Sequence, residues 1–355
     1  MEESLAEVTS ESRLQSPLAG GRHLRSGLRP IHLLAVFAAT FALMLGVART
    51  ARATSPAWVR QSLDATSTSP GLNRVHFVDR YNGWAVGDGI FHTNDCGATW
   101  KSQSTQSGLY GVFAIDAAFT WVAGGAPNEY GRTLFANTRN AGWTWDWAHD
   151  GAALFSDVEF IEHDRGWVSG SNSYWGEGPA SGIILRTMDG GSTWATSTVS
   201  SPVRAIDFVS GSTGFALDDR AGVMRTVDGG RTWIKRSTIA NPMNDICFVS
   251  GYTGWAVGYP GVILRTGNGG RTWSRQRSGT TKGLNAVRFV NRSTGWAVGD
   301  GGVVLKTSNG GRTWRRLTVS TTSTLHSVWF SDAQYGWIVG DSGTIFATTT
   351  GGVSR

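Results

Sequence analysis

The 355-residue sequence predicts an all-β protein, a seven-bladed β-propeller with four-stranded blades. Three observations support this prediction. An octamer such as TVDGGRTW (226–233) recurs about every forty residues, a second motif such as GWAVGD (295–300) precedes each octamer, and the composition is rich in Gly and Trp but poor in charge. A period near forty with short strands in every unit is typical of propeller blades, which bury their faces only against neighbouring blades.

The N-terminal 53 residues are expected to be a leader, separate from a propeller of residues 54–355. Arg22, Arg25 and Arg29 precede an uncharged apolar run at 31–48, and small residues at Ala51 and Ala53 form a cleavage pattern. A basic flank, an apolar core and a small-x-small site predict a secretory signal peptide. The apolar run also reaches the lower length limit for a membrane span, so a retained signal anchor is the alternative.

The octamer predicts a tight turn that restarts a strand. Its copies are TNDCGATW (93–100), TRNAGWTW (138–145), TMDGGSTW (187–194), TVDGGRTW (226–233), TGNGGRTW (266–273), TSNGGRTW (307–314) and a degenerate TTTGGVSR (348–355). The third-position side chain can accept hydrogen bonds from turn N–H groups, and the glycines supply positive φ values. The predicted structural turn residues are therefore Asp95, Asn140, Asp189, Asp228, Asn268 and Asn309.

The segment before each octamer predicts the other strands of the blade. A short apolar strand, such as VRFV (287–290), comes first, and the motif of the GWAVGD type comes second. The glycine pairs after GWAV suit a two-residue hairpin to a third strand, and the octamer then leads into a fourth. Seven such units predict seven blades.

The two ends of the chain are expected to complete one blade. The last repeat ends at Arg355, without a fourth strand, whereas AWVRQ (57–61) aligns with TWSRQ (272–276), so that Trp58 matches Trp273. We therefore expect the N-terminal strand to join the last blade and close the ring, because an open ring would leave two exposed sheet edges.

The positions facing the central channel carry the candidate chemistry. They are His76, Phe113, Glu159, Asp207, Cys247, Arg288 and Trp329. Glu159 and Asp207 lie on adjacent blades and are interpreted either as a carboxylate pair or as polar lining of a water-filled channel. Cys96 and Cys247 lie in different repeats and the histidines lack metal-ligand spacing, so neither a disulfide nor a metal site nor a cofactor is predicted.

The repeat resembles known families. The octamer resembles the Asp-box of sialidases, other glycosidases and sortilin-type receptors. Its combination with GWAVGDGG (295–302) and a following Lys-Thr resembles the photosystem II stability/assembly factor family over about residues 57–355. That resemblance implies an exported, non-enzymatic monomeric propeller in the thylakoid lumen or periplasm. In a photosynthetic organism it implies binding of a newly made photosystem II reaction-centre polypeptide through an arginine-rich patch.

Charge is divided unevenly along the propeller. Residues 220–316 contain 16 Lys and Arg residues but three acidic residues. Residues 54–219 contain nine Lys and Arg residues and 17 acidic residues. This asymmetry predicts a basic face for a membrane-complex subunit or an anionic membrane surface, and nucleic acid is excluded for an exported protein. The predicted partner-binding residues are Arg186, Arg225, Arg265, Lys306, Arg231, Arg271, Arg312, Arg275, Arg315 and Arg316. The first four match the family's arginine patch, but His92, Asn137 and Ala347 interrupt the row.

The alternative function is a glycan-binding or sialidase-like glycoside-hydrolysing propeller. Trp143, Trp147 and Trp175 lie outside the repeat pattern and, with the insertion 171–182, are candidates for a sugar-binding rim. A sialidase needs three arginines around a substrate carboxylate, whereas the channel-facing positions hold only Arg288.

Overall fold

A computed structural model describes residues 57–64, 69–126, 132–148, 153–172 and 180–354. The leader, including the apolar run at 31–48, lies outside these residues. In the part of the chain that the structure describes, no helix is both long and apolar enough to cross a bilayer.

The predicted seven-bladed propeller is confirmed, and the strands within each repeat pair antiparallel. Two short strands precede the first blade: β1 (Val59–Arg60) and β2 (Ser62–Asp64). Blade 1 contains β3 (Leu72–Phe77), β4 (Gly83–Gly87), β5 (Ile90–Thr93) and β6 (Thr99–Ser104). Blade 2 contains β7 (Leu109–Ala114), β8 (Thr120–Ala126), β9 (Arg132–Thr138) and β10 (Asp146–Ala148). Blade 3 contains β11 (Leu154–Phe160), β12 (Gly166–Ser171), β13 (Gly182–Thr187) and β14 (Ala195–Val199).

The remaining blades follow the same plan. Blade 4 contains β15 (Val203–Phe208), β16 (Gly214–Asp218), β17 (Gly222–Thr226) and β18 (Ile234–Thr238). Blade 5 contains β19 (Met243–Phe248), β20 (Gly254–Gly258), β21 (Val262–Thr266) and β22 (Ser274–Gln276). Blade 6 contains β23 (Leu284–Phe289), β24 (Gly295–Gly299), a 3-10 turn (Asp300–Gly302), β25 (Val303–Thr307) and β26 (Arg315–Leu317). Blade 7 contains β27 (Leu325–Phe330), β28 (Gly336–Gly340) and β29 (Thr344–Thr348).

The N-terminal segment lies on two blades. β1 is the outer strand of blade 7, where Val59 pairs antiparallel with Ala347. β2 then pairs parallel with β6, with Ser62 opposite Thr99, and makes blade 1 five-stranded. The first strands of successive blades contact one another around the ring, and β27 contacts β3. The β2 pairing was not expected from the sequence, because a three-residue strand carries too little pattern to assign it.

The hydrophobic core consists of seven clusters, one in each seam between neighbouring blades. The GWAVG strands supply much of it and are fully buried. In blade 6 a Cβ at Gly295 would lie 2.5 Å from the Phe289 ring, so only glycine fits beneath that ring. The next residue, Trp296, stacks on Phe330 of blade 7 at a centroid distance of 3.5 Å. The motif therefore serves packing both within a blade and between blades.

Each of the first six octamers forms the turn between the third and fourth strands. In blade 4 the Asp228 carboxylate accepts hydrogen bonds from the Thr226 hydroxyl at 2.8 Å and the Thr232 amide at 3.0 Å. The Thr232 hydroxyl donates to it at 2.6 Å. Gly229 and Gly230 have φ values of 74° and 84°, which favour glycine. The contacts from the first Thr hydroxyl and the second Thr amide recur at the other third-position residues, Asp95, Asn140, Asp189, Asn268 and Asn309. At the three Asn residues the side-chain amide instead donates to the second Thr hydroxyl.

The propeller has two distinct ends. At one end the octamer turns meet the loops between first and second strands, as where Gly229 N–H donates to Ser212 O at 2.9 Å; we call this end the octamer face. At the other end the second-to-third-strand hairpins meet the connections between blades, as where Asp300 N–H donates to Gly283 O at 3.0 Å; we call it the hairpin face.

Candidate binding sites on the octamer face and in the channel

The third-strand cations lie in the seams, over aromatic rings of the second strands. The Arg225 guanidinium lies 5.6 Å from the Phe215 ring centroid and the Lys306 ammonium 5.1 Å from that of Trp296. Arg265 is 5.9 Å from Trp255 in the same way. Each pair is opposite in strand register, which explains why cation and ring meet. In blade 3 Arg186 is likewise opposite Trp167.

These third-strand cations are half-buried, so part of each side chain serves packing. The Lys306 ammonium also donates a hydrogen bond to Gly351 O of blade 7 at 2.9 Å. Burial, followed by the charge of Arg315, lowers the pKa of Lys306. The sequence-based prediction treated these residues purely as partner contacts, and the structure adds that Lys306 joins blade 6 to blade 7.

Three arginines gather on the octamer face at the seam between blades 4 and 5. A Cβ at Gly269, two residues before the octamer residue Arg271, would lie 3.3 Å from the Arg225 guanidinium. Arg236 on the outer strand lies near both Arg225 and Arg271. Burial and the charges of Arg271 and Arg225 lower the pKa of Arg236. We call these three residues the arginine cluster.

Sequence reasoning missed Arg236. The register of β17 and β18 shifts between the pairs Val223–Ser237 and Met224–Lys235, so Arg236 is the extra residue of a β-bulge. Bulges redirect a side chain relative to the regular alternation of a strand. Blade 5 has no shift at this place, and the octamer signal does not encode one.

The other predicted partner residues fall into two groups. Arg231, Arg271 and Arg312 are exposed at octamer turns, and Arg315 is exposed beside Lys306. Arg275 and Arg316 instead line a separate groove together with Arg277 and Lys282, which the sequence analysis did not select. The ten predicted residues are therefore distributed over two places.

The positive charge of these residues is uncompensated. Among the described residues, the ion pairs are Arg74–Asp157, His163–Asp116, Arg165–Glu162 and His326–Asp341, and none includes a predicted partner residue. An unpaired cluster of one sign attracts ligands of the opposite sign. The octamer face of blades 4 to 6 is thus suited to an anionic partner.

The predicted channel residues line the central cavity of about 80 Å³. Several of them accept a hydrogen bond from the first strand of the next blade. The Phe208 amide donates to Glu159 at 2.8 Å, the Phe248 amide donates to Asp207, and the Ala114 amide donates to His76 Nδ1 at 3.2 Å. The two carboxylates thus link neighbouring blades in addition to lining the channel.

A second layer of channel residues escaped the sequence analysis. It lies two residues earlier on the same strands and includes Arg74, Asp157 and Asp245, with an Arg74–Asp157 ion pair at 2.5 Å. The Val287 amide donates to Asp245 at 2.8 Å. Side chains two residues apart on a strand face the same side of the sheet, so this second layer could have been predicted from the first layer of channel residues. The channel thus holds a second arginine besides Arg288.

The channel carboxyls are electrostatically perturbed. Burial, reinforced by Asp207, raises the pKa of Glu159 well above its usual value. Burial raises the pKa of Asp207 to about 7 and that of Asp245 to about 6. Arg288 stacks over the Trp329 ring, with its guanidinium 3.8 Å from the centroid. Among the described residues, no cluster of His, Cys, Asp or Glu is arranged to hold a metal.

The structure describes only part of the predicted sugar-binding rim. Trp143 is 88% exposed, but Trp147 packs against the hydrophobic cluster between blades 1 and 2. Trp175 and most of the 171–182 insertion lie outside the described residues. The two cysteines are both free; Cys247 is buried in the channel wall and Cys96 lies in an octamer turn.

Comparison with known proteins finds a family model that matches part of the repeat region. The family model described as photosynthesis system II assembly factor YCF48 matches residues 197–281 and 238–323. A structure of YCF48 bound to a D1 peptide has a TM-score of 0.66 at 18% identity, covering 83% of this chain and 98% of the other. The structure of YCF48 from Cyanidioschyzon merolae has a TM-score of 0.64 at 18% identity, covering 82% of this chain and 98% of the other.

A glycosidase shares the architecture. The GH74 xyloglucanase from Xanthomonas campestris has a TM-score of 0.64 at 14% identity, covering 83% of this chain but 54% of the enzyme. At this identity the likeness establishes the fold alone. No curated protein sequence matches the chain.

Proposed function

Because the repeats of this chain are of the photosystem II assembly factor type, we propose that the chain is a non-enzymatic binding protein. In this proposal the octamer face of blades 4 to 6 holds an acidic segment of a membrane-complex subunit. The chain acts after export, in a thylakoid lumen or a periplasm, and as a monomer. In a photosynthetic organism the subunit is a reaction-centre polypeptide of photosystem II.

The observation that carries the proposal is the arginine cluster. Burial and the charges of Arg271 and Arg225 lower the pKa of Arg236, and none of the three arginines has an acidic partner among the described residues. Guanidinium groups bind carboxylates through paired N–H donors. Arg225 is already positioned over the rings of Phe215 and Tyr252, which reduces the ordering required when a ligand binds.

The solved structures of similar propellers support a binding function. One solved YCF48 structure contains a D1 peptide, which shows that a propeller of this type can hold a polypeptide segment. The channel carboxylates of this chain accept structural hydrogen bonds between blades, and this accounts for them without a catalytic role. The glycosidase alternative has no comparable support, because nearly half of the xyloglucanase has no counterpart in this chain.

The test is recovery of partners from detergent-solubilised membranes of the source organism, using the tagged chain as bait at low and high salt. The variant Arg231→Gln/Arg271→Gln/Arg312→Gln removes three exposed octamer-face cations and leaves the half-buried third-strand cations in place. We expect the wild-type chain to recover a membrane-complex subunit at low salt, with lower recovery at high salt, because charges are screened over about 10 Å at 0.1 M. The triple variant should recover little at either salt.

The matched control is Arg60→Gln/Lys101→Gln/Arg204→Gln, which removes three exposed cations elsewhere on the propeller. It should behave as the wild-type chain does. Equal recovery by both triple variants would overturn the assignment of the octamer face. Turnover of a glucan or sialoside by the purified chain would overturn the non-enzymatic assignment.

A further inference from the structure

A second basic surface lies away from the octamer face. It is an open groove of about 930 Å³ at the outer edge of blades 5 and 6, and we call it the rim groove. Its cations are Arg275 and Arg277 at the end of the blade 5 outer strand, Lys282 on the connection to blade 6, and Arg316 on the outer strand of blade 6. All four are exposed, and no acid is among the lining residues.

The loop that forms the groove is held by its own hydrogen bonds. The Ser278 hydroxyl is buried and donates to Gly261 O at 2.6 Å, and the Lys282 amide donates to the Thr280 hydroxyl at 3.0 Å. These hydroxyls are thus already engaged within the loop. What the groove offers to a ligand is a set of four cationic side chains, one of which, Lys282, belongs to this hydrogen-bonded loop.

The surroundings of the groove are consistent with an interface between water and lipid. Tyr259 is 57% exposed, and its ring lies against the backbone at Gly283, next to Lys282. Tyrosines with an apolar ring and a polar tip favour the headgroup region of a bilayer. Asp300, which lies near Gly283, accepts a hydrogen bond from the Asn285 side chain at 3.1 Å. None of the four groove cations is in an ion pair within the described chain.

We propose that the rim groove docks the propeller on an anionic lipid surface. Clusters of Lys and Arg bind anionic headgroups, and each such residue increases the partition coefficient onto an anionic membrane about fivefold. A shallow, open groove without an apolar pocket suits a field of headgroups better than the side chains of a peptide. Because Lys282 lies on a connection of the hairpin-face type, the octamer face remains available for a protein partner.

The experiment is sedimentation of the full chain with vesicles of phosphatidylcholine alone and of phosphatidylcholine with phosphatidylglycerol. The leader's apolar run is common to all variants, so the informative quantity is the gain in binding on adding the anionic lipid. We expect a clear gain for the wild-type chain. In the variant Arg277→Gln/Lys282→Gln/Arg316→Gln, the partition coefficient onto the anionic vesicles should fall about a hundredfold.

The matched control is the octamer-face variant Arg231→Gln/Arg271→Gln/Arg312→Gln, which should keep the wild-type gain. The rim variant should in turn keep full recovery of the partner from solubilised membranes. Thermal unfolding checks that both variants are folded. Equal binding of the wild-type chain to both vesicles, or an unchanged gain in the rim variant, would overturn the proposal. So would loss of the protein partner in place of the lipid, which would assign the groove to a peptide.

Discussion

The Trp58 ring stands edge-on to the Phe330 ring, with centroids 6.0 Å apart and planes at 86°. The same contact joins the octamer Trp100 to Phe77 at 5.7 Å and 88° in blade 1. Trp314 and Phe289 of blade 6 repeat it at 5.8 Å and 89°. The last octamer has Arg355 at the position that Trp occupies in the other six, and Trp58 from the N-terminal segment fills that packing position in blade 7.

The first prediction concerns this contact. Trp58→Ala should lower the free energy of unfolding by about 3–5 kcal/mol, because Trp58 is 5% exposed and its loss leaves a cavity in the seam of blades 6 and 7. Trp143→Ala is the control, since that side chain is 88% exposed. Urea unfolding of both variants measures the effect. If the two variants are equally stable, Trp58 is not part of the blade 7 core.

A related prediction concerns the whole N-terminal strand. Deleting residues 54–63 removes β1 and most of β2, and so exposes β29 of blade 7 and β6 of blade 1. Unpaired sheet edges promote aggregation. We expect a lower melting temperature and aggregation on gel filtration. A deletion variant that stays monomeric and has the melting temperature of the wild-type chain would show that the N-terminal strands do not protect these sheet edges.

The octamer turn gives the third prediction. Asp228→Ala should cost about 1–3 kcal/mol, because the Thr226 and Thr232 groups lose their acceptor. Asp228→Asn should retain most of the stability, since Asn309 makes the equivalent contacts and donates to the Thr313 hydroxyl at 2.9 Å. Denaturant unfolding distinguishes them. Equal losses in both variants would mean that the negative charge, rather than hydrogen bonding, fixes the turn.

The channel carboxyls give a prediction about pH. Burial raises the pKa of Asp207 to about 7, so the folded chain binds this proton more tightly than the unfolded chain does. A carboxyl with a raised pKa favours the folded state at low pH, and this contribution declines as pH rises from its unfolded value near 4 towards about 7. Between about pH 5 and pH 8 the propeller should therefore lose about 1–3 kcal/mol of stability.

Asp207→Asn tests the origin of that loss. The amide oxygen can still accept from the Phe248 amide, but the buried charge is gone, so the decline with pH should be smaller. Asp164→Asn, at an exposed position, should keep the wild-type slope. Melting temperatures across this pH range provide the measurement. A slope in Asp207→Asn as steep as in the wild-type chain would refute the assignment.

The arginine cluster predicts opposite effects on stability and on binding. Arg236→Gln removes a cation that Arg225 and Arg271 repel, so the melting temperature should stay the same or rise. Recovery of the protein partner from solubilised membranes should fall severalfold, since one of three anion-binding groups is lost. Gln is tolerated at the outer strand of blade 5, where Gln276 donates to Gly310 O. Unchanged recovery would remove Arg236 from the site.

The sequence by itself determined the number of blades, the four strands of each and the turn residues. Every one of these depends on contacts between residues close along the chain or between fixed positions of neighbouring repeats. Asp228 meets Thr232 four residues later, and Trp296 meets Phe330 one repeat later, so a regular period of about forty encodes both. The channel-facing positions followed from the same alternation along each first strand.

Only the tertiary structure decided how the charged residues are grouped. A bulge of one residue redirects Arg236 towards Arg225 and Arg271, and the connection after blade 5 brings Lys282 beside Arg275 and Arg316. The sequence showed that residues 220–316 are basic but not that their charges divide between an octamer face and a rim groove. The reason is physical: packing fixes repeated apolar positions, whereas the grouping of exposed charges depends on strand register and loop path, which vary from blade to blade.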